Sequence, residues 1–512
     1  MLTPRDGKGK NRLERIARRV MIERGFEPDF SKAALDELEK IQGVTSAVQD
    51  NQRDLRQLPW ASIDNDDSLD LDQLTIAEVL PDKSVRILVA VADVDALVKQ
   101  NSLIDEHAHQ NTTSIYTAGK IFHMLPDKLS TDLTSLNYNE DRAAMVIDMV
   151  VSDTGEMLSS DIYTALVRNK AKLAYKRVAA WLEGKSVPEE SVKTVPGLDE
   201  NLRVQDRVAQ KLRARRYERG ALELRTLEPH PIFAENEIQD LELDETNRAR
   251  EIIEDFMIAA NDVTSRFLHA KKAPFFRRVV RTPKRWDRIM EVAAQYNYKL
   301  PAEPAPKALA NFLIERKSAD PLRFPDLSLT IIKLLGSGEY VVELPGEAAP
   351  GHFGLAVKNY THSTAPNRRF PDLLTQRILK AAIRGSPLPY SESELIELAR
   401  HCTEKEDDAT KVERQVAKSA AAMLLASRIG DKFEAICTGA SDKGTWVRIF
   451  QPPIEGRLFQ GYSGVDVGHR LQVKLIHVDI ERGYIDFERV RSNHRVGRGG
   501  KRDTRHKDIS YH

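Results

Sequence analysis

Apolar residues recur at helical spacing near the start of the chain: Leu13, Ile16, Ala17, Val20 and Met21, then, past the break at GFEPDF, Leu35, Leu38 and Ile41. That period predicts helix over residues 11–42. A polar stretch, TSAVQDNQRDLRQ, separates it from VRILVAVAD at 85–93, whose β-branched, uninterrupted apolar run reads as a buried strand. AAMVIDMVVSDTGEM at 143–157 reads as strand, turn and the start of a second strand. Helical patterns then follow at 201–220, stopped by Gly220, and at 246–274, apolar on most faces and so buried in a large domain. LPAEPAPKA is a surface turn; 371–384 reads as helix and 391–428 as a helical connector. From 432 onward the period drops to two, in short alternating strands split by Gly and Asp, the pattern of a small β-barrel. The Gly/Arg/Lys tail after 490 has no period and reads as disordered.

A chain of 512 residues exceeds one ordinary domain. Its 41% hydrophobic and 30% charged content supplies real cores and excludes wholesale disorder. Net charge is zero, so only its distribution informs: both ends are basic, while ASIDNDDSLDLDQL at 61–74 is acidic. Two cysteines, Cys402 and Cys437, build neither a disulfide framework nor a zinc site, and fit reduced thiols in the cytoplasm. No apolar run reaches the roughly 18 residues that span a bilayer, and the start lacks a signal-peptide core. A cytoplasmic protein without membrane association is expected.

The acidic stretch has two readings, a solvated turn or a cage for divalent cations. If 62–64 ends one strand and 69–74 begins another, Asp70 and Asp72 point to one side with Asp64 opposite. Magnesium takes hard oxygen ligands and accepts one or two carboxylates plus water and phosphate; two such ions about 4 Å apart activate water and stabilise a leaving oxygen. An EF-hand is excluded, because the turn glycine and the late glutamate are missing. The H-x-H at 107–109 lies on a predicted helix where i and i+2 diverge, so neither it nor His123, His352 or His362 is assigned to metal.

SIDNDDSLDLDQ resembles the signature of the RNB domain, the catalytic domain of ribonuclease II and RNase R. The resemblance implies metal ligation by Asp64, Asp70 and Asp72, with Gln73 standing where the family has a fourth aspartate. SIYTAGKIFHMLPDKLS is similar to a second family segment and makes Tyr116 a base-stacking residue, against the plainer reading of a core tyrosine. AKLAYKRVAAWL and IIEDFMIAAN resemble two more segments, and they imply that Tyr175 and Glu254 read the ribose 2′-hydroxyl, the group that separates RNA from DNA. On periodicity alone Glu254 is a paired helix carboxylate. In RRYERGALELRTLEP, Leu224 replaces the phenylalanine that closes the family's base stack. GHFGLAVKNYTHSTAPNRRFPDLLTQRIL carries the most specific resemblance and makes Arg368 the contact to the scissile phosphate, with Arg369 beside it. Ala365, Asn367 and Phe370 depart there from the family's serine, isoleucine and tyrosine.

The 432–490 segment resembles an RNA-binding OB-fold of the ribosomal S-one type. It implies Trp446 as base stacker (or, alternatively, core filler) and Lys443, Arg448 and Lys474 as phosphate contacts.

The fold expected is therefore α+β: a basic helical N-terminal region (1–50), an RNB catalytic domain (51–390), a helical connector (391–428), an OB-fold (429–490) and a basic tail (491–512). About 50 residues stand where the family carries two cold-shock domains; these helices either replace part of an RNA funnel or pack on the catalytic domain. The resemblance implies a magnesium-dependent exoribonuclease, with manganese as substitute and no organic cofactor. It would be a monomer degrading single-stranded RNA from a free 3′ end to nucleoside 5′-monophosphates, with Asp70, Asp72 and Arg368 catalytic. The rival reading, prompted by Gln73 and Leu224, is an RNA-binding protein on an RNB scaffold with a weakened centre.

Overall fold

The computed structural model describes residues 8–43, 52–226, 229–234, 237–243, 246–346, 351–441 and 444–490. The first helices are α1 (Lys8–Glu23) and α2 (Lys32–Leu38); the tail after 490 and Lys443 lie outside the described residues. Strands β1 (Arg53–Asp54), β2 (Ala61–Asp64), β3 (Gln73–Val79) and β4 (Val85–Ala92) come next, then α3 (Leu103–Asn111) and a two-stranded ribbon, β5 (Ile115–Tyr116) and β6 (Ile121–Phe122). Long strands β7 (Asp141–Val151) and β8 (Met157–Arg168) and short β9 (Ala171–Ala174) complete a seven-stranded sheet in the order β1-β8-β7-β4-β3-β2-β9. The sheet is antiparallel except at its two ends, where β1 and β9 pair in parallel.

Six consecutive residues of β4, Ile87–Ala92, are buried, so this strand is covered on both faces. That explains why it reads as an unbroken apolar run. Helices α4 (Tyr175–Leu182), α5 (Glu190–Thr194), α6 (Leu198–Glu218) and α7 (Arg248–Ala270) follow, separated in part by a hairpin of β10 (Pro229–Ala234) and β11 (Glu237–Leu243). Val204 and Val208 of α6 and Ile252, Phe256, Ala260 and Val263 of α7 join the sheet's core. Beyond them lie β12 (Phe275–Val279), α8 (Trp286–Ala294), α9 (Pro306–Ala319), α10 (Phe324–Leu335) and β13 (Glu339–Glu343). The three helices form a satellite core around Trp286, Phe312 and Phe324. Helix α11 (Phe370–Arg384) returns to the main core with Leu373, Leu374 and Ile378, and α12 (Glu392–Leu425) runs 34 residues.

The chain divides into two compact units, one of residues 1–424 with 481–483, the other of 425–480 with 484–512. The second is a closed barrel of β14 (Lys432–Ser441), β15 (Gly444–Ile449), β16 (Glu455–Gln460), β17 (Arg470–Asp479) and β18 (Tyr484–Arg489), in the order β14-β15-β16-β18-β17. No helix among the described residues is long and apolar enough to cross a membrane.

Candidate active site

Asp64 is the last residue of β2, and β3 begins only at Gln73. Asp70 and Asp72 thus sit in the connection between two strands, not on a second strand as the alternation suggested. That connection is held from both sides. Leu71 N donates to Ser135 Oγ (2.9 Å), Ser135 Oγ donates to Leu69 O (2.7 Å), Leu136 N donates to Leu71 O (3.0 Å), and Ala92 N donates to Asp72 O (3.0 Å). The loop between the aspartates is fastened too: Ser68 Oγ donates to Asp64 Oδ1 (2.8 Å), Lys172 Nζ to Ser68 O (2.5 Å) and Arg250 Nη2 to Asn65 Oδ1 (3.1 Å), while Arg177 pairs with Asp66 at 2.7 Å. Basic side chains from β9, α4 and α7 offset the repulsion that so many carboxylates create.

Asp72 is buried, and Arg368, 296 positions downstream, donates from Nε to its Oδ2 at 2.9 Å. Its Oδ1 is buried without a partner among the described residues. Burial pushes the Asp72 carboxyl up to about 7, against the pull of Arg368 and with help from the negative Asp70. Burial also raises Asp64, opposed by its bonds from Ser68 and Asn65; Asp70 raises it and Arg368 lowers it. These cross-influences put Asp64, Asp70, Asp72 and Arg368 in one electrostatic cluster. Tyr116, 40% exposed, donates from its hydroxyl to Asp70 Oδ2 at 3.1 Å. Tyr175, the first residue of α4, is half-buried; its hydroxyl is raised by burial and then by Asp64. Gln73 is buried at the start of β3.

The backbone carrying Arg368 is pinned as firmly as the aspartates. Arg368 O accepts from Ser114 N (3.0 Å) and Thr113 Oγ1 (3.1 Å), and Phe370 N donates to Thr112 O (2.8 Å). Buried Asn261 on α7 accepts from both N and Oγ of Ser363 at 2.9 Å. Asn367, in place of an apolar residue, is buried and accepts from Thr134 Oγ1. Arg369 points differently from Arg368: its Nη2 donates to fully buried Asp372 at 2.7 Å, which holds the start of α11.

Glu254 pairs with Arg213 (3.3 Å) and Arg216 (3.9 Å) of α6, the paired helix carboxylate of the periodicity reading. The guanidinium over the Tyr175 ring, 5.2 Å from its centroid, belongs to Arg250, one turn earlier on α7. Leu224 is partly buried against the satellite core of α8, α9 and α10. In the barrel, Trp446 alternates with buried Thr445 and Val447 and so faces outward, paired across to Gly439 and Arg457; it does not fill the barrel core. Arg448 lies on the same outer face. Lys474, partly exposed, pairs with Glu488 at 3.1 Å. The fastening residues Ser68, Ser135, Lys172 and Arg250 escaped sequence reading because a serine or lysine far along the chain gives no periodic signal of the loop it closes on.

The donor set suits a hard divalent cation. Among the described residues no three His, Cys, Asp or Glu side chains form a ready-made cage. Magnesium does not need one, since one or two carboxylates with water and phosphate oxygens suffice. The orphaned Asp72 Oδ1, in a carboxylate that also feels Asp70, is a buried acceptor that a cation would satisfy.

Comparison with known proteins agrees with this architecture. Residues 52–385 match the RNB domain and residues 431–490 the RNase II-type exonuclease C-terminal S1 domain. The chain is 29% identical over 466 residues to Ribonuclease R of Aquifex aeolicus, covering 86% of this chain and 65% of that protein. It is 31% identical to Ribonuclease R of Vibrio parahaemolyticus, covering 88% and 57%. It therefore spans about three-fifths of the length of these curated relatives. Among solved structures, RNase R of Mycoplasma genitalium in complex with ribose methylated single-stranded RNA superposes with a TM-score of 0.83 at 22% identity, covering 93% of this chain and 77% of that one. Yeast Ssd1, a pseudonuclease, superposes at 0.67 with 15% identity, covering 87% and 55%. The fold is thus shared by chains described as nucleases and by one described as none.

Proposed function

This chain belongs to the RNB-domain family, and we propose that it is a 3′-to-5′ exoribonuclease that hydrolyses single-stranded RNA processively to nucleoside 5′-monophosphates. The observation that carries the proposal is the pairing of buried Asp72 with Arg368, 296 positions apart in the chain, in one electrostatic cluster with Asp70 and Asp64. Asp64, Asp70 and Asp72, with Gln73 adjacent, would hold magnesium or manganese. When bound, the cation supplies a Lewis acid that polarises the phosphate and lowers the pKa of water.

The chain's own groups account for the rest. Arg368 keeps a 41% accessible side chain while anchored through Nε, so its guanidinium is oriented before a phosphate arrives. Charge-assisted donation from that group strengthens as negative charge grows on the phosphoryl oxygens. Tyr116, fixed to Asp70 and exposed on one side, offers a ring on which a base of any identity stacks. Tyr175, whose hydroxyl feels Asp64, would offer that hydroxyl to a ribose bound at the same cluster. The outward Trp446 and Arg448 of the barrel suit a single RNA strand.

Incubation of the protein with 3′-tailed, 5′-labelled RNA and magnesium should yield a ladder shortening from the 3′ end with 5′-mononucleotides released. Asp72→Asn should bind the RNA and leave it intact; persistent hydrolysis by a clean preparation of that variant would sink the assignment. Gln73, neutral where the resemblance places a carboxylate, favours a second reading, an RNA binder. In that case the wild type leaves RNA intact and Gln73→Asp gains turnover.

A further inference from the structure

We infer that α1 is a positioning element of the active site, acting through the β5–β6 ribbon, with Gly119 as the residue that lets the two meet. The inference rests on the ribonuclease reading only for its kinetic consequence.

The ribbon touches the site at two places. Near its tip, Tyr116 donates its hydroxyl to Asp70 (3.1 Å); at its base, Ser114 N and Thr113 Oγ1 hold the Arg368 carbonyl (3.0 and 3.1 Å). A two-stranded ribbon of this length is not stable alone, so its position is dictated by what it leans on. One support is α12, whose Glu413 Oε1 accepts from Tyr116 N at 2.9 Å. The other is α1. A Cβ placed on Gly119 would lie 2.7 Å from Glu14 N and 3.0 Å from the Leu13 carbonyl carbon and Cβ, so only glycine lets the ribbon turn rest against the helix backbone. Gly119 does not adopt a positive φ, and close approach is therefore what demands it.

Around that point Lys120 Nζ lies 3.5 Å from Glu14 Oε1, and Arg18 lies 5.5 Å from the ring centroid of buried Phe122. Leu13, Ile16, Ala17 and Met21 are fully or almost fully buried, so α1 is a packed element and not a loose basic arm. Basic residues that would suggest an RNA funnel are spent on acidic partners: Arg18 on Glu14 and Asp29, Arg19 on Glu23 and Glu481.

The test is Gly119→Ala in the full chain. The added methyl meets backbone, not a flexible side-chain end, so the ribbon must lift from α1. Amide hydrogen exchange over 113–122, Tyr116 N included, and over 366–369 should quicken, with exchange elsewhere in the large unit unchanged. This readout needs no enzymatic activity. On RNA, kcat should fall about tenfold or more, since displacements near 1 Å carry penalties of that order or larger, with a smaller loss of RNA affinity from the displaced Tyr116 ring. In a Tyr116→Phe background, Gly119→Ala should cost less than it does alone, because one of the two contacts that it disturbs is already gone. Unchanged exchange, or unchanged kcat in an active protein, overturns the inference; inactivity of the wild type overturns the ribonuclease reading and leaves the exchange test decisive. Should Gly119→Ala fail to fold, Lys120→Met at an exposed position tests the same seam, with quicker exchange over 113–122 expected and unchanged exchange refuting it.

Discussion

At the scale of single residues, the proposed chemistry centres on one carboxylate. Asp72 ionises with difficulty because it is buried, and its folded pKa, pushed up to about 7, stands above the value near 3.9 of an unfolded aspartate. Below about pH 4 the carboxyl is neutral in both states and burial costs nothing extra; stability is then lost as pH rises from about 4 through 7, where folding holds a proton that the unfolded chain releases. In cation-free buffer at pH 8, Asp72→Asn should be more stable than wild type by up to about 4 kcal/mol, taking 1.36 kcal/mol per pH unit. The gap should close as the pH falls toward 4, as followed by chemical denaturation; a variant less stable at pH 8 would show that the Arg368 pairing outweighs desolvation. Magnesium should narrow the same gap by stabilising the wild-type carboxylate. Arg368→Lys keeps the charge but loses the planar donor fork. It should lower kcat by about 10²–10³, the range seen for a lost donor to a developing oxyanion, with a smaller effect on RNA affinity.

At the scale of elements, the site is a set of loops pinned by hydroxyls and amides from elsewhere. Ser135, at the end of the segment after the ribbon, both accepts from Leu71 N and donates to Leu69 O, and so sets the path of the chain around Asp70 and Asp72. Ser135→Ala leaves that buried amide unsatisfied, which costs about 1–3 kcal/mol. Thermal unfolding should show that loss, and kcat should drop with it because the aspartates lose their register. Asn261 does the same for the arginine segment through Ser363. Ser135 carries no periodic signal, and its role is visible only once the 114–136 segment lies beside the strands.

At the scale of the whole molecule, two compact units of unequal size make two-state unfolding unsuitable as a description. Calorimetry should resolve two transitions, and magnesium should raise the one belonging to the larger unit by mass action while leaving the barrel's in place; a shift of both would place cation contacts outside the aspartate cluster. The sequence alone determined the local elements: the 3.6 period of α1, α7 and α12, the unbroken apolar β4 and the two-residue alternation of the barrel, because each depends on neighbours only a few positions apart. It also located the aspartates and Arg368 through motif order. What only tertiary structure decided was the partner of each charge. Glu254 faces the arginines of α6, Arg250 covers Tyr175, Arg369 turns inward to Asp372, and α1 braces the ribbon. Those choices depend on which surfaces meet after the chain has folded, and the free energy that selects them belongs to contacts between residues tens to hundreds of positions apart.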